Sequence, residues 1–314
     1  MKHDRRQSVV SVSALMALIC CASGCSLKSM AVKTVANTLS QSGGTFTRDD
    51  DPELVRDAVP FALKTYESLL ETVPTHEGLL LATCSGFTQY AFAFVQTDAD
   101  ALEIEDYETF WQMRQRALKL YLRGRGYCLR ALELKHRGVE KRLTLDPGHA
   151  LAATKKSDVP LLYWTAAAWG AAISVGLDRP ELIADVPAVR SLLARALTLQ
   201  EDYSQGALHE AMITVEALPG EMGGSPERAR MHFARALELS KGLNPGPYIS
   251  LAAGVAVAAK DRAEFEKLLD QALAIDPDEN PENRLAILIA HRRARMLRAR
   301  VDRLFTASHE GRLP

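Results

Sequence analysis

A short helical signature returns four times along the chain and limits what it can fold into. It reads ALEL at Ala131–Leu134, ALTL at Ala196–Leu199, ALEL at Ala236–Leu239 and ALAI at Ala272–Ile275. The successive intervals are 65, 40 and 36 residues. The last lies near the period of about 34 residues used by tetratricopeptide-type helix pairs. Such a pair cannot bury its apolar face alone, so units stack, and stacked units present extended binding surfaces. The expected fold class is all-α, with antiparallel helix pairs stacked as a degenerate tetratricopeptide-like solenoid. A binding or scaffold role is expected before an enzymatic one.

Helical spacing and breakers divide the chain further. Asp49–Asp51 before Pro52 reads as a helix start, because Asp accepts free N-terminal N–H groups and Pro suits the first turn. Leu54, Val55, Ala58, Phe61, Ala62, Thr65 and Leu69 then follow helical spacing. A second helix is expected over about 77–95, then an acidic loop from Thr97 to Asp106 and a long helix over about 107–136. Leu145–His149 reads as a turn. Lys155–Asp158 leads into a helix that holds Tyr163, Trp164, Ala166–Ala168, Trp169, Ala171 and Ala172, and later helices are expected near 189–199, 204–217, 226–241, 247–260, 262–275 and 281–305. Ala229, Phe233 and Ala236 occupy the small, aromatic and small positions of a tetratricopeptide second helix, and Ala272 and Pro277 fit its last Ala and Pro. Phe265 departs from that pattern, and Gly124, Cys128 and Ala131 match it more loosely. No period-2 stretch of useful length reads as a strand.

The first residues have the layout of an export signal. Lys2, Arg5 and Arg6 precede an apolar run from Val9 to Ala22, which is too short for a comfortable membrane span. Ala22, Ser23, Gly24 and Cys25 resemble a bacterial lipobox, with Ala22 where Leu is commoner. That resemblance implies a signal peptide over residues 1–24 and acylation of Cys25, each buried CH₂ adding about 0.8 kcal/mol of membrane affinity. Ser26 follows in place of the Asp that retains such proteins at the inner membrane, so the outer membrane is the favoured destination. Residues 25–50 read as anchor and tether, and residues 51–314 as the helical domain. No later segment reads as apolar for long enough to span a bilayer. After acylation Cys84 and Cys128 remain. They either pair in an oxidising compartment or are two small buried residues on separate helices.

Chemistry-bearing patterns are sparse. The net charge of −1 provides no field for nucleic acid. No Cys or His spacing suits a metal, no cofactor is implied, and no convergent acid/base set is visible, so no enzyme is expected. His209 reads as a packed or capping residue. The Gly-rich stretch Gly220–Ser225 admits a phosphate loop, but Ser225 as helix N-cap with Pro226 behind it explains the same residues. Tyr163, Trp164 and Trp169 are candidates to line an apolar ligand cleft, against the alternative of ordinary close packing among the intervening alanines. Arg292, Arg293, Arg295, Arg298, Arg300 and Arg303 crowd the last helix. Arg292, Arg295 and Arg298 are the candidates for docking an acidic partner, against the alternative of a solvated face.

Taken in order, the segments resemble the TatT family, the accessory component of TRAP (tripartite ATP-independent periplasmic) transporters. The resemblance is carried by Asp50–Lys64, Leu79–Phe94, Tyr121–Tyr127, Gly206–His209, Gly223–Ser225, His232–Ala236 and Arg284–Phe305. It implies an all-helical, tetratricopeptide-like periplasmic protein that associates with a TRAP substrate-binding protein. It also implies a homo-oligomer, as a trimer, with a cavity for ligand passage, and it transfers no catalytic residues. A stand-alone apolar ligand carrier and a general tetratricopeptide-type scaffold are the alternatives.

Overall fold

The computed structural model describes residues 32–39, 44–102 and 106–306, and every regular element among them is helical. The signal sequence and Cys25 lie outside the described residues. The first helices are α1 (32–39), α2 (Pro52–Thr72), α3 (Glu77–Tyr90), α4 (Thr97–Leu102), α5 (Tyr107–Lys135) and α6 (Val139–Leu145). The middle of the chain forms α7 (Val159–Val175), α8 (Val186–Leu199), α9 (Ala207–Glu216) and α10 (Pro226–Ser240). It ends with α11 (Gly246–Leu251), α12 (Arg262–Leu273), α13 (Arg284–Ala299) and α14 (Val301–Thr306).

The helix starts follow local chemistry. The Asp51 carboxylate accepts the N–H groups of Glu53 and Leu54 ahead of Pro52. Asp106, Ser225 and Asp261 accept those of Thr109, Arg228 and Glu264 in the same way. Each satisfies donors that a helix N-terminus leaves unpaired.

Consecutive helices then pack side by side. Leu79, Leu80, Leu118, Leu132, Leu162 and Leu192 from α3, α5, α7 and α8 are inaccessible or nearly so, and a second cluster joins Ile213, Ala229, Ile249, Phe265, Leu269 and Ala272. The leading alanines of the four repeated signatures, Ala131, Ala196, Ala236 and Ala272, are each at most 1% exposed. They are contact points where a larger side chain would hold neighbouring helices apart.

The array does not stay open. α13 returns to the start of the chain and packs against α2. Val55, Ala93, Phe94 and Ile289 form a third buried cluster there, with Phe46, Val59, Tyr90 and Leu285 against it. A charged network spans the same seam. Arg56 and Arg292 both bind the half-buried Asp98, at 2.6 and 2.8 Å, and Arg56 also binds Glu53 at 2.9 Å. Nearby Arg48 pairs with Glu282 at 3.5 Å. An open solenoid keeps its first and last units apart, whereas here the helices close into a ring.

Several expectations change. The acidic stretch after Thr97 begins as helix α4, because α3 continues through a π-helical segment, Ala91–Gln96, and Asp98 is drawn inward by two arginines. Leu145–His149 contains a helical turn, Pro147–Ala150, capped by Asp146. Part of the expected tether is built into the body: α1 buries Ala36 completely, and the Leu39 carbonyl accepts from the Tyr66 hydroxyl at 3.3 Å. The continuous helix Glu77–Leu102 is also long and apolar enough to cross a membrane, contrary to the sequence reading. Leu79, Leu80, Cys84, Phe87 and Ala91 on that helix are buried against the rest of the fold.

Cys84 and Cys128 form a disulfide between α3 and α5, with Cα atoms 5.5 Å apart and a sequence separation of 44. Loop-closure entropy for a link of that span is worth roughly 4 kcal/mol. The double variant Cys84→Ala/Cys128→Ala should lower the unfolding free energy from urea titration by that amount, seen as a lower midpoint at a slope close to that of the parent. An unchanged midpoint in non-reducing buffer would show that the link contributes nothing to stability.

Candidate functional site

The ring surrounds a cavity of about 1290 Å³, larger than the roughly 300–1,000 Å³ of ordinary small-molecule pockets. α7 supplies one wall through Pro160, Tyr163, Trp164, Ala167, Gly170, Ala171 and Ser174. Those positions recur every three or four residues, so they form one stripe of a helix with 3.6 residues per turn. The Tyr163 ring packs edge-on to Trp164, with centroids 5.0 Å apart, and lies 5.4 Å from the Tyr203 ring. Burial pushes the Tyr163 hydroxyl well above its ordinary pKa, and it stays neutral.

Two π-helical segments also contribute to the wall. Ala91–Gln96 brings Phe92, Ala93, Phe94 and Gln96 to the cavity, and Ala252–Ala256 brings Ala253 and Gly254. In each, an N–H reaches back five residues, from Thr97 to Phe92 and from Val257 to Ala252. Such widened turns are rare and concentrate at functional sites. Gly254 admits close helix approach, since a Cβ there would stand 2.6 Å from that of Ala217.

A strained polar strap crosses the wall between Tyr203 and α13. Ser204 and Gln205 hold φ of 48° and 55°, followed by Gly206 at 92°. Left-handed backbone costs a non-glycine residue about 1–2 kcal/mol. The Gln205 carbonyl oxygen accepts from the Asn280 and Asn283 amides, both at 3.4 Å, and all of Ser204, Gln205, Asn280 and Asn283 face the cavity.

Charge is scarce inside. Among the described lining residues, Arg293 and Glu210 are the charged side chains. His76 also lines the wall; its Nδ1 accepts the Leu79 N–H and its Nε2 lies 2.8 Å from the Asn37 side-chain oxygen. Burial raises the Glu210 carboxyl above its ordinary pKa, against opposing pulls from Asn244 and Arg293. The Asn244 amide donates to Glu210 Oε2 at 2.8 Å, and a Cβ at Gly246 would overlap the carboxyl group.

The expected site residues part company. Tyr163 and Trp164 line the cavity, but Trp169 lies on the opposite face of α7. It is 2% exposed, donates to Asp185 Oδ2 at 3.0 Å and is covered by the Arg125 guanidinium at 4.8 Å. Trp169 is therefore a packing residue; five residues on from Trp164, it is rotated well away from the cavity stripe. Of the arginines, Arg292 is engaged by Asp98 and Arg298 by Asp270. Arg295 is exposed, with no acidic side chain at ion-pair distance among the described residues. Arg293 turns inward, and no position in the sequence pattern distinguished it from its neighbours.

Two other motifs are structural. Ser225 caps α10, as its position before Pro226 suggests. The N–H groups of Met222, Gly223, Gly224 and Ser225 are all bound to backbone carbonyls, and the Gly223 carbonyl accepts from Arg190 and Arg228. That leaves no N–H cradle for a phosphate. His209 is buried, with Nδ1 2.8 Å from Nδ1 of His232 and Nε2 3.3 Å from Glu201, and neither imidazole lines the cavity.

The described helices thus line a large, mainly apolar chamber with little charge inside. The family model for the TRAP transporter T-component matches residues 48–305, and the chain belongs to that family. A relative from Treponema pallidum (strain Nichols), described as an uncharacterized protein, is 33% identical over 97% of this chain and 99% of its own length. Membership gives the protein an accessory role in TRAP transport and an envelope-associated, periplasmic setting; the family is a transporter component and not a family of enzymes.

The Glu210 carboxyl yields a pH test. Its folded pKa is raised, so its contribution to stability is present below the unfolded value and is lost as pH rises through the folded one. Glu210→Gln keeps the shape and removes the titration. The variant should melt with the parent near pH 4 and a few degrees above it at pH 8. Coincident melting curves at both pH values would mean that Glu210 ionises freely in the folded state.

Proposed function

We propose that this protein is the lipid-anchored periplasmic accessory component that docks a TRAP substrate-binding protein and passes its ligand through the central cavity. Acylated Cys25 would hold it at the outer membrane, ahead of the helical ring. The observation that carries the reading is the cavity: a large, partly open chamber of about 1290 Å³ in a TRAP T-component. Helix pairs of tetratricopeptide-like type would present the docking surface, and assembly into a homo-oligomer, as a trimer, would bring several chambers together.

Arg292, Arg295 and Arg298 remain the docking candidates, and the contacts rank them. Arg292 and Arg298 already have carboxylate partners, whereas Arg295 is free to meet an acidic surface. A stand-alone apolar ligand carrier is the second reading, favoured by Tyr163 and Trp164 in the cavity wall.

Pull-down of the mature chain against the TRAP substrate-binding protein of the same organism separates the two. The expected result is capture at low salt, weakened at least tenfold by Arg295→Glu and less by Arg298→Ala. Failure to capture at native concentration, with an intact melting transition, would leave the carrier reading in place of the docking one.

A further inference from the structure

Arg293 is held in an unusual setting. It is half-buried in the wall of a mainly apolar cavity, and no carboxylate stands at ion-pair distance from it among the described residues. Its guanidinium carbon lies over the Phe92 ring, 5.2 Å from the centroid. A cation–π contact of this kind takes up none of the N–H donors, which leaves them for a further partner. The adjacent arginines do not share this position: Arg292 is spent on Asp98 at the ring seam, and Arg295 points to solvent.

Placing an arginine among apolar residues costs solvation, and among the described residues no ion pair offsets it, Glu210 acting on it only at longer range. The expected repayment is a ligand anion. Beside it, Gln96 accepts the Tyr121 hydroxyl at 2.5 Å through its carbonyl oxygen, which leaves the Gln96 amide N–H groups as donors on the same π-helical wall as Phe92. The rest of the chamber is apolar or aromatic around Tyr163, Trp164, Ala167, Ala171 and Ile249.

We infer that the cavity takes a long apolar molecule with a single carboxylate, its head group bound by Arg293 and its tail laid along the Tyr163–Trp164 wall. The inference rests on the reading of the cavity as a ligand site. A planar carboxylate matches the two parallel N–H donors that one guanidinium offers. A phosphate dianion needs a second cation, which the described lining lacks. A cationic head group would be repelled by Arg293. The resulting ligand class is an amphipathic monocarboxylate.

The test titrates the mature chain carrying Cys25→Ser, which removes the acyl site, with four probes of one chain length below their micelle concentrations. These are dodecanoate, dodecanol, dodecylamine and dodecyl phosphate, read by Trp164 and Tyr163 fluorescence and by calorimetry. Dodecanoate should bind at least tenfold tighter than each of the others. Arg293→Gln should erase that preference while leaving dodecanol affinity within about twofold, and Arg293→Lys should retain part of it. Arg303→Gln, on the exposed end of the chain, is the control. Equal binding of dodecanoate and dodecanol, an Arg293→Gln variant that keeps the preference, or tighter binding of dodecyl phosphate would each overturn the carboxylate assignment while sparing the cavity as a ligand site. Binding of none of the four would remove the cavity reading and the inference together. Should Arg293→Gln not fold, the probe series on the parent and on Arg293→Lys still decides.

Discussion

The contact between the two ends of the chain is the constraint on which the rest depends. α13 meets α2 through Val55, Phe94 and Ile289, and Asp98 sits between Arg56 and Arg292 at the same seam. Without that contact the helices would form an open curve and the apolar faces lining its inside would be exposed to water. With it, the same faces enclose a chamber. Apolar burial at the seam supplies the driving force, and the partly buried charge network fixes which helix faces meet.

A closed ring of stacked helices leaves its centre either filled by large side chains or hollow. This chain keeps it hollow with small residues on the inner stripe, Ala167, Gly170 and Ala171 on α7 and Ala253 and Gly254 near α11. Trp169, on the other face of α7, packs into the neighbouring layer, while Tyr163 and Trp164 line the chamber. The two π-helical segments widen the turn where they face the chamber, and the left-handed Ser204 and Gln205 join the polar strap to α13. Both described π-helical segments and the left-handed Ser204 and Gln205 thus lie at the cavity wall.

Much of this was legible in the sequence, for local reasons. Helix starts at Pro52, Pro226 and Arg262 follow from side chains that cap their own backbone. The repeated Ala-Leu signatures mark contact points, because a small residue at helical spacing admits a neighbouring helix. The order and spacing of the segments already resembled the family. Less legible were features that depend on distant partners. Trp164 and Trp169 look alike in a string of alanines, and only the helical phase relative to the neighbouring helices separates a cavity residue from a packed one. Arg293 is one of a run of arginines, and nothing local marks it as the one turned inward. The acidic stretch after Thr97 reads as a loop until Arg56 and Arg292 are seen to bind Asp98.

The amino-acid sequence by itself determined that the chain is helical, where most helices begin and end, and to which transport family it belongs. Those properties rest on spacing, capping and turn residues within a few positions of one another. The tertiary structure decided that the array closes, that Cys84 and Cys128 are joined, and that Tyr163, Trp164, Glu210 and Arg293 share one chamber. Each of these requires residues far apart in sequence to meet, and their meeting is set by the summed packing of every helix between them.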